Sequence, residues 1–379
     1  MVFISIGLIN KNIIPIFVGC AFCFSSKLMI KYAKVDLFKH TIIPNVFASI
    51  SKLFTIIPFI IFKLRSTKSY INVGLIKENT NIKYIYDDSN YQKKKIIKGK
   101  FFFILLASTL FFIQSILVTY TIEIKTNFSL WHILFASIFC YFIFKIKLYI
   151  HHYISLILII LTGIIIDLCL ENLQNEIVND WMLFLMKLAK EIVYSLQDAL
   201  CKYIMEKKFC SVYELTLYNG FIVTILLIIF SIINYYYLHI DDFDEYFENF
   251  NISEFLVILG LMPIQLGLYL SVLFTNKNNS PCHIFIIVYI FGQFGTYFDL
   301  STKSIILIIC FVFILFWTLV FNELIEINYC GLEKNTKRNI MIRADSEEIF
   351  IDKNETINDP EAKDENNKEL EKDNITVYQ

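Results

Sequence analysis

Charge is what this 379-residue sequence has least of for its size. Asp, Glu, Lys and Arg make up 18% of it, against about 25% in an ordinary soluble domain. So little charge cannot cover a water-soluble body of this length, which excludes most soluble enzyme classes. The 34 basic and 35 acidic residues nearly cancel, and nothing global marks a nucleic-acid binder. Nucleotide and catalytic motifs are missing as well. The sequence has no P-loop, dinucleotide fingerprint, HExxH or GxSxG, so direct ATP drive would need a separate nucleotide module. The nine cysteines are scattered and outline no disulfide scaffold. Cys20-x-x-Cys23 has metal spacing but no second ligand pair, so core packing is its expected role and no metal or cofactor is expected. No cleavable signal peptide is expected, since Met1–Asn10 lacks a basic start and a small-residue cleavage site follows nowhere near.

What remains is apolar. Hydrophobic residues reach 56%, with Phe 37 and Tyr 22, and mean hydropathy is +0.57. A bilayer core takes roughly 20 helical residues, and apolar stretches of that order recur. The expected spans are 12–32, 41–62, 101–121, 129–146 and 151–170, then 182–204, 213–237, 253–275, 282–298 and 304–326. They do not alternate as lipid-facing barrel strands must. The expectation is an all-α polytopic membrane protein of about ten helices. The first span, broken by Gly19, Ser25, Ser26 and Lys27, is the one whose loss would leave nine.

Connector charge sets the orientation. Residues 63–100 carry ten Lys or Arg against three acids. Lys145, Lys147, Lys202, Lys207 and Lys208 lie on the same side, and Lys334, Lys337, Arg338 and Arg343 follow the last span. The opposite side holds Glu171, Glu176 and Asp180, and then Asp241, Asp242, Asp244, Glu245 and Glu248. Both termini are therefore expected in the cytoplasm. Lys31, Lys34 and Lys39 run against the bias, which points to a buried or tilted first helix. Asn127-Phe-Ser129 and Asn251-Ile-Ser253 are glycosylation sequons on the outer or lumenal side. Residues 344–379 change character, with twelve acids and four lysines after Ala344, and read as a disordered acidic cytoplasmic tail.

The two five-span groups resemble each other. An offset of 151 aligns Leu105 with Leu256, Leu110 with Leu261, Gln114 with Gln265, and His132-Ile133 with His283-Ile284. An offset of 171 aligns Lys31-Tyr32 with Lys202-Tyr203, and Lys27 with Asp198. Five spans per unit put the halves in opposite orientations, a secondary-transporter plan in which the halves exchange conformations. The domains are then 1–170, including the basic cytoplasmic loop 63–100, and 171–343, followed by the tail.

Ionisable groups inside spans are costly and face a cavity or a partner. Lys52 lies midway through span two, too deep to snorkel. Span six holds Lys187, Lys190, Glu191, Gln197 and Asp198, with Lys187 and Glu191 spaced to pair. An ion pair of Lys52 with Asp198 or Glu191 is expected, whether it closes the bundle or borders a pathway. Gln114 and Gln265 occupy equivalent mid-span positions, as pathway amides or helix clamps, with Pro263 beside the latter. The six histidines are read as spread over both faces, with His132 and His283 as interface or vestibule residues.

Weak motifs carry a family resemblance over about residues 12–340. The segment from Phe144 through His151-His152 to Gly163 resembles the join of spans four and five in drug/metabolite transporters. That superfamily includes the solute carrier 35 branch, nucleotide-sugar carriers and chloroquine-resistance-type carriers. Gly19 with Ser25-Ser26-Lys27 looks like the opening helix of solute carrier 35 members. Gln197 through Glu206-Lys-Lys208, then Glu214 and Asn219-Gly220, is similar to their join of spans six and seven. Asn322 through Lys337 is similar to the ending of divergent protist members. The resemblance implies a non-enzymatic alternating-access carrier of a small polar or anionic metabolite, with a coupled proton and a homodimer both compatible. It implies a multi-pass protein of endomembranes (Golgi/ER, lysosomal or vacuolar) or of the plasma membrane. The alternatives are a non-transporting trafficking or receptor protein and, further off, a membrane-embedded enzyme.

The orientation is testable by cysteine labelling from each side in a background without native cysteines. Sites near Lys94 and Glu355 should label from the cytoplasm and sites near Asp244 from the outside. Labelling near Lys94 and Asp244 from one side refutes the charge reading.

Overall fold

The computed structural model describes residues 4–6, 13–33, 42–64, 83–121, 130–145, 148–174, 181–238, 252–287 and 302–327. Asn127, Asn251, the acidic connector 239–251, residues 288–298 of the ninth expected span and the tail 344–379 lie outside them. Helix dominates. It comprises α1 (Ile14–Ala33), α2 (Ile43–Ser51), α3 (Lys83–Thr121), α4 (Trp131–Phe144) and α5 (Ile150–Gln174). The remaining helices are α6 (Trp181–Lys207), α7 (Val212–Ile233), α8 (Ile252–Asn278), α9 (Pro281–Phe285) and α10 (Thr302–Phe321). A 3-10 turn, Lys52–Thr55, continues α2, and helix resumes over 56–64. A π turn, Asn234–Leu238, extends α7.

Local chemistry accounts for several boundaries. Proline stands in the first turn of α2 and of α9, where its missing N–H costs nothing. Ser211 caps α7 by accepting the Glu214 N–H at 3.1 Å, the first half of a capping box. Helix α4 stops at Lys145, whose left-handed φ of 56° ends the run of helical bonds. Inside the helices, hydroxyls bond back to the carbonyl four residues earlier. Ser137 on Ile133, Ser155 on His151, Thr216 on Val212 and Thr318 on Ile314 all do so at 2.6–2.8 Å. Such bonds satisfy a polar side chain without water.

The side-chain distribution is that of a body in an apolar solvent. Phe17, Phe102, Phe142, Phe221 and Val312 point outward. Lys52, Glu191, Gln197, Asp198, Asn219 and Asn276 are buried. Among the described residues, four stretches are long and apolar enough to cross a bilayer: Pro44–Leu64, Gly99–Thr119, Val212–Tyr236 and Phe255–Asn278. Shorter apolar helices accompany them at Ile14–Ser26, Trp131–Phe144, Ile150–Ile166 and Ile308–Phe321. The chain is a helical membrane protein.

Packing is dominated by non-adjacent helices. The most extensive contacts join α1 to α8, α3 to α6, α5 to α10 and α4 to α6, and α2 lies along α7. One apolar cluster unites α4, α5, α9 and α10 around Ile133, Ile159, Phe285 and Ile314. Another unites α3, α6, α7 and α8 around Ile104, Ile204, Leu215 and Leu273. Cys20 and Cys23 sit as buried thiols in a third, with Ile284 and Ile287.

Two details depart from the sequence reading. Helix α3 begins at Lys83, well inside the stretch expected as a loop. Hydropathy marks only where the apolar part starts, whereas 83–100 lacks proline and is rich in helix-tolerant Lys, Tyr and Ile. The fold is also not purely helical. Ile4–Ile6 (β1) pairs antiparallel with Ile325–Ile327 (β2), Ser5 opposite Glu326. Three-residue strands carry too little alternation to be read from sequence.

One glycine decides how closely α2 and α7 approach. A Cβ on Gly220 would lie 2.7 Å from the Lys52 Cβ and 3.2 Å from the Ser49 carbonyl oxygen. Gly220→Ala should therefore destabilise by about 1–3 kcal/mol through overpacking. Gly99→Ala meets the end of Lys208 at 3.5 Å and the Phe103 ring at 3.8 Å, ordinary contacts, and should not destabilise. Thermal melts in detergent test the pair, and equal melting temperatures for the two variants contradict the close approach.

Candidate functional site

The site is built where α2, α3, α7 and α8 meet. The 3-10 turn tightens α2 at Lys52, with Thr55 Oγ1 donating to the Lys52 carbonyl at 2.6 Å. Short 3-10 interruptions mark hinges and strained functional turns. The Lys52 side chain is 3% exposed. Its Nζ lies 3.2 Å from the ring centroid of Phe111 on α3 and 3.9 Å from that of Tyr269 on α8. The two rings meet edge to face at 5.8 Å. Among the described residues no hydrogen-bond acceptor reaches Nζ. Two ring faces hold the ammonium electrostatically and leave all three of its N–H bonds unused.

Other buried polar groups on α2, α3, α6, α7 and α8 have no hydrogen-bond partner among the described residues. Asn219, beside Gly220 on α7, is fully buried with neither amide atom bonded. The Tyr269 hydroxyl, Ser49 Oγ and Thr224 Oγ1 are buried and unbonded. Gln114, one turn along α3 from Phe111, keeps a buried Oε1 without a partner, as does Gln197 on α6. Buried polar atoms are normally bonded, so the unbonded ammonium of Lys52 and hydroxyl of Tyr269 beside it are open to a partner.

The expected ion pair of Lys52 with Asp198 or Glu191 is not formed. The Lys52 stem runs to the aromatic faces of α3 and α8, while Asp198 Oδ2 faces His132 Nε2 at 3.4 Å. Glu191 takes Lys190 at 2.8 Å, and Lys187 is buried one turn earlier. Gln265 is a clamp: its Nε2 donates to Ser26 Oγ on α1 at 3.0 Å. It and Gln114, equivalent in the sequence repeat, thus differ in their bonding. His132 lies wholly inside the protein, not in a vestibule. Its Nδ1 is 2.9 Å from Ser195 Oγ and its ring packs on Tyr194 at 4.9 Å.

Ion pairs and caps close the bundle around the site. Lys202 Nζ reaches the Asn276 carbonyl at 3.0 Å and that of Asn279, closing off the C-terminal end of α8, and pairs with Glu206 at 2.8 Å. Asn276 Nδ2 donates to the Asp198 carbonyl at 2.7 Å. Lys100 and Glu214 join α3 to α7 at 2.7 Å. A histidine–acid group also forms. Glu323, at φ 58° after α10, places Oε1 3.3 Å from His151 Nε2 and 3.6 Å from His152 Nε2. These three can offer ligand atoms to a metal ion. The Tyr149 N–H donates to His152 Nδ1 at 3.2 Å, however, which leaves the proton of neutral His152 on Nε2, facing the carboxylate. The group is better suited to clasp α5 to α10 than to ligate a metal.

Phe111, Tyr269 and Ser195 are site residues that sequence reasoning missed, while His132 was read only as an interface or vestibule residue and Asn219 only as part of the resemblance. Among 37 Phe and 22 Tyr, two particular rings carry no signal. The Asn219-Gly220 pair, polar and small within an apolar run, was the readable hint.

No family model matches the chain, and no curated protein matches it either.

Proposed function

We propose that the chain is a secondary-active transporter of a small polar or anionic metabolite, working by alternating access. The observation that carries the reading is the ammonium of Lys52, buried between two aromatic faces with no hydrogen-bonded anion among the described residues. An intramembrane ammonium costs about 2.5–3.5 kcal/mol on insertion scales, and a desolvated cation–π contact returns about 2 kcal/mol. The remainder favours an incoming anion. In this mechanism Lys52 takes the anionic group, and Gln114, Gln197 and Asn219 exchange hydrogen bonds with the polar part of the solute. Asp198 and Glu191 keep the region from becoming too positive when empty.

The packing supports two inverted five-helix units of a ten-span bundle. Exchanging the halves carries α1 onto α6, α2 onto α7, α3 onto α8 and α5 onto α10. Contact α1–α8 then becomes α6–α3, while α2–α7 and α5–α10 map onto themselves, and each of these pairs is among those formed. Such a scheme lets one central site open to either face. It is the arrangement that the resemblance to drug/metabolite transporters implies, with cytoplasmic termini and a disordered tail. The resemblance extends the same reading to an endomembrane or plasma-membrane carrier.

A membrane-embedded enzyme is the second reading, because His151, His152 and Glu323 do form a histidine–acid group. The fixed tautomer of His152 argues against it as a metal centre.

Counterflow in proteoliposomes separates the readings. Lys52→Met should lower exchange of an anionic solute at least tenfold. Its melting temperature should hold or rise, because a costly buried charge has gone. Wild-type flux in folded Lys52→Met refutes the assignment.

A further inference from the structure

The His132–Asp198–Ser195 group is distinct from the aromatic cradle of Lys52, and the mechanism above gives Asp198 only a charge-balancing part, with no proton on it. We propose that His132 and Asp198 form a shared proton-binding site, whose protonation is coupled to solute movement; the coupling rests on the transport reading. The argument turns on one rotatable hydroxyl.

Ser195 Oγ has three acceptors within reach: His132 Nδ1 at 2.9 Å, the Glu191 carbonyl at 2.8 Å and the His132 carbonyl at 3.1 Å. A serine has one proton to give. When it gives that proton to Nδ1, the neutral imidazole carries its own proton on Nε2, toward the Asp198 carboxylate at 3.4 Å. When a further proton arrives on the ring, both nitrogens are donors. Nδ1–H then donates to Ser195 Oγ, and the hydroxyl turns to the Glu191 carbonyl. The alternative resting place for the added proton is the Asp198 carboxyl, and the same hydroxyl positions accommodate it. Either way one proton is gained, no heavy atom has to move, and neither state strands the Ser195 hydroxyl or Nδ1. A purely structural bond needs only one acceptor for the serine.

The placement suits coupling. His132 is on α4 and Ser195 and Asp198 are on α6, so the bond joins two helices that relative movement would separate. Helix α8 links the two sites: its Asn276 Nδ2 donates to the Asp198 carbonyl at 2.7 Å, and its Tyr269 ring holds the Lys52 ammonium at 3.9 Å. The other titratable groups acting on this region are Glu191, Tyr194 and Lys202 on α6, Cys140 on α4, Cys282 on α9 and Tyr269 on α8. His283, aligned with His132 in the repeat, also has a serine at Nδ1, Ser280 at 2.8 Å.

Infrared difference spectra of the full chain in lipid, titrated between about pH 5 and 8, test the site without any solute. Carboxyl-labelled aspartate identifies the band in wild-type protein, so the result does not depend on a variant folding. The expected result is a one-proton transition with an aspartate or imidazole signature. It should be lost in Asp198→Asn and moved by about one pH unit in Ser195→Ala. No transition in the wild type, or an unchanged one in folded Asp198→Asn, overturns the proposal. Uptake of labelled phosphate, succinate or glutamate under a pH gradient then tests the coupling. Flux without the proton transition removes the proton site and leaves the transport reading intact. A proton transition with no flux of any of these anions keeps the site and removes both the transport reading and the coupling.

Discussion

The structure depends on how a single ammonium is held inside an apolar body. Lys52 has neither a carboxylate nor a carbonyl at its tip, only the faces of Phe111 and Tyr269. This is a deliberately incomplete solution. A carboxylate would neutralise the charge and close the site, whereas ring faces stabilise the cation and leave its N–H bonds available. The requirement reaches outward from there. Gly220 must be small for the lysine backbone to lie against α7. The 3-10 turn aims the stem, and α3 and α8 must be close enough to bring their rings edge to face.

Around that centre the polar chemistry divides by role. Some groups close the structure: Lys202 on the end of α8, Lys100 with Glu214, and Glu323 with two histidines. Hydroxyls such as those of Ser137, Ser155, Thr216 and Thr318 are bonded to their own helix. At the centre, among the described residues, the Lys52 ammonium has no hydrogen-bond acceptor and the hydroxyl of Tyr269, whose ring faces it, is unbonded as well. A binding site needs such open groups, since each costs free energy until a partner arrives. Outward-facing Phe and Ile side chains meanwhile present the bundle to lipid.

Much of the helix layout was legible because its signal is coarse. Long apolar runs locate most of the described helices to within a few residues, apart from the early start of α3 and the ninth expected span, most of which lies outside the described residues, and low charge points to the solvent. The depth of Lys52 was readable from its distance to either end of the span. Its partner was not. Charge complementarity pointed to Asp198, but pairing depends on which way two stems point, and helical phase over several turns does not fix that. The aromatic pair was invisible because aromatics are everywhere in this sequence. His132 aligned with His283 in the repeat, yet its burial beside Asp198 required the α4–α6 contact. The ribbon of β1 and β2 joins residues more than 300 positions apart, beyond any local pattern.

The central claim is that Lys52 is the anion-binding pole of a solute site, and ligand-induced stabilisation measures it without any assumption about transport direction. A ligand at 100 times its dissociation constant stabilises the state it binds by about 2.7 kcal/mol. Thermal melts of purified protein across a panel of small anionic metabolites should therefore show at least one raising the melting temperature of wild type. The same compound should leave Lys52→Met unmoved. An anion-induced shift of equal size in Lys52→Met would contradict the account.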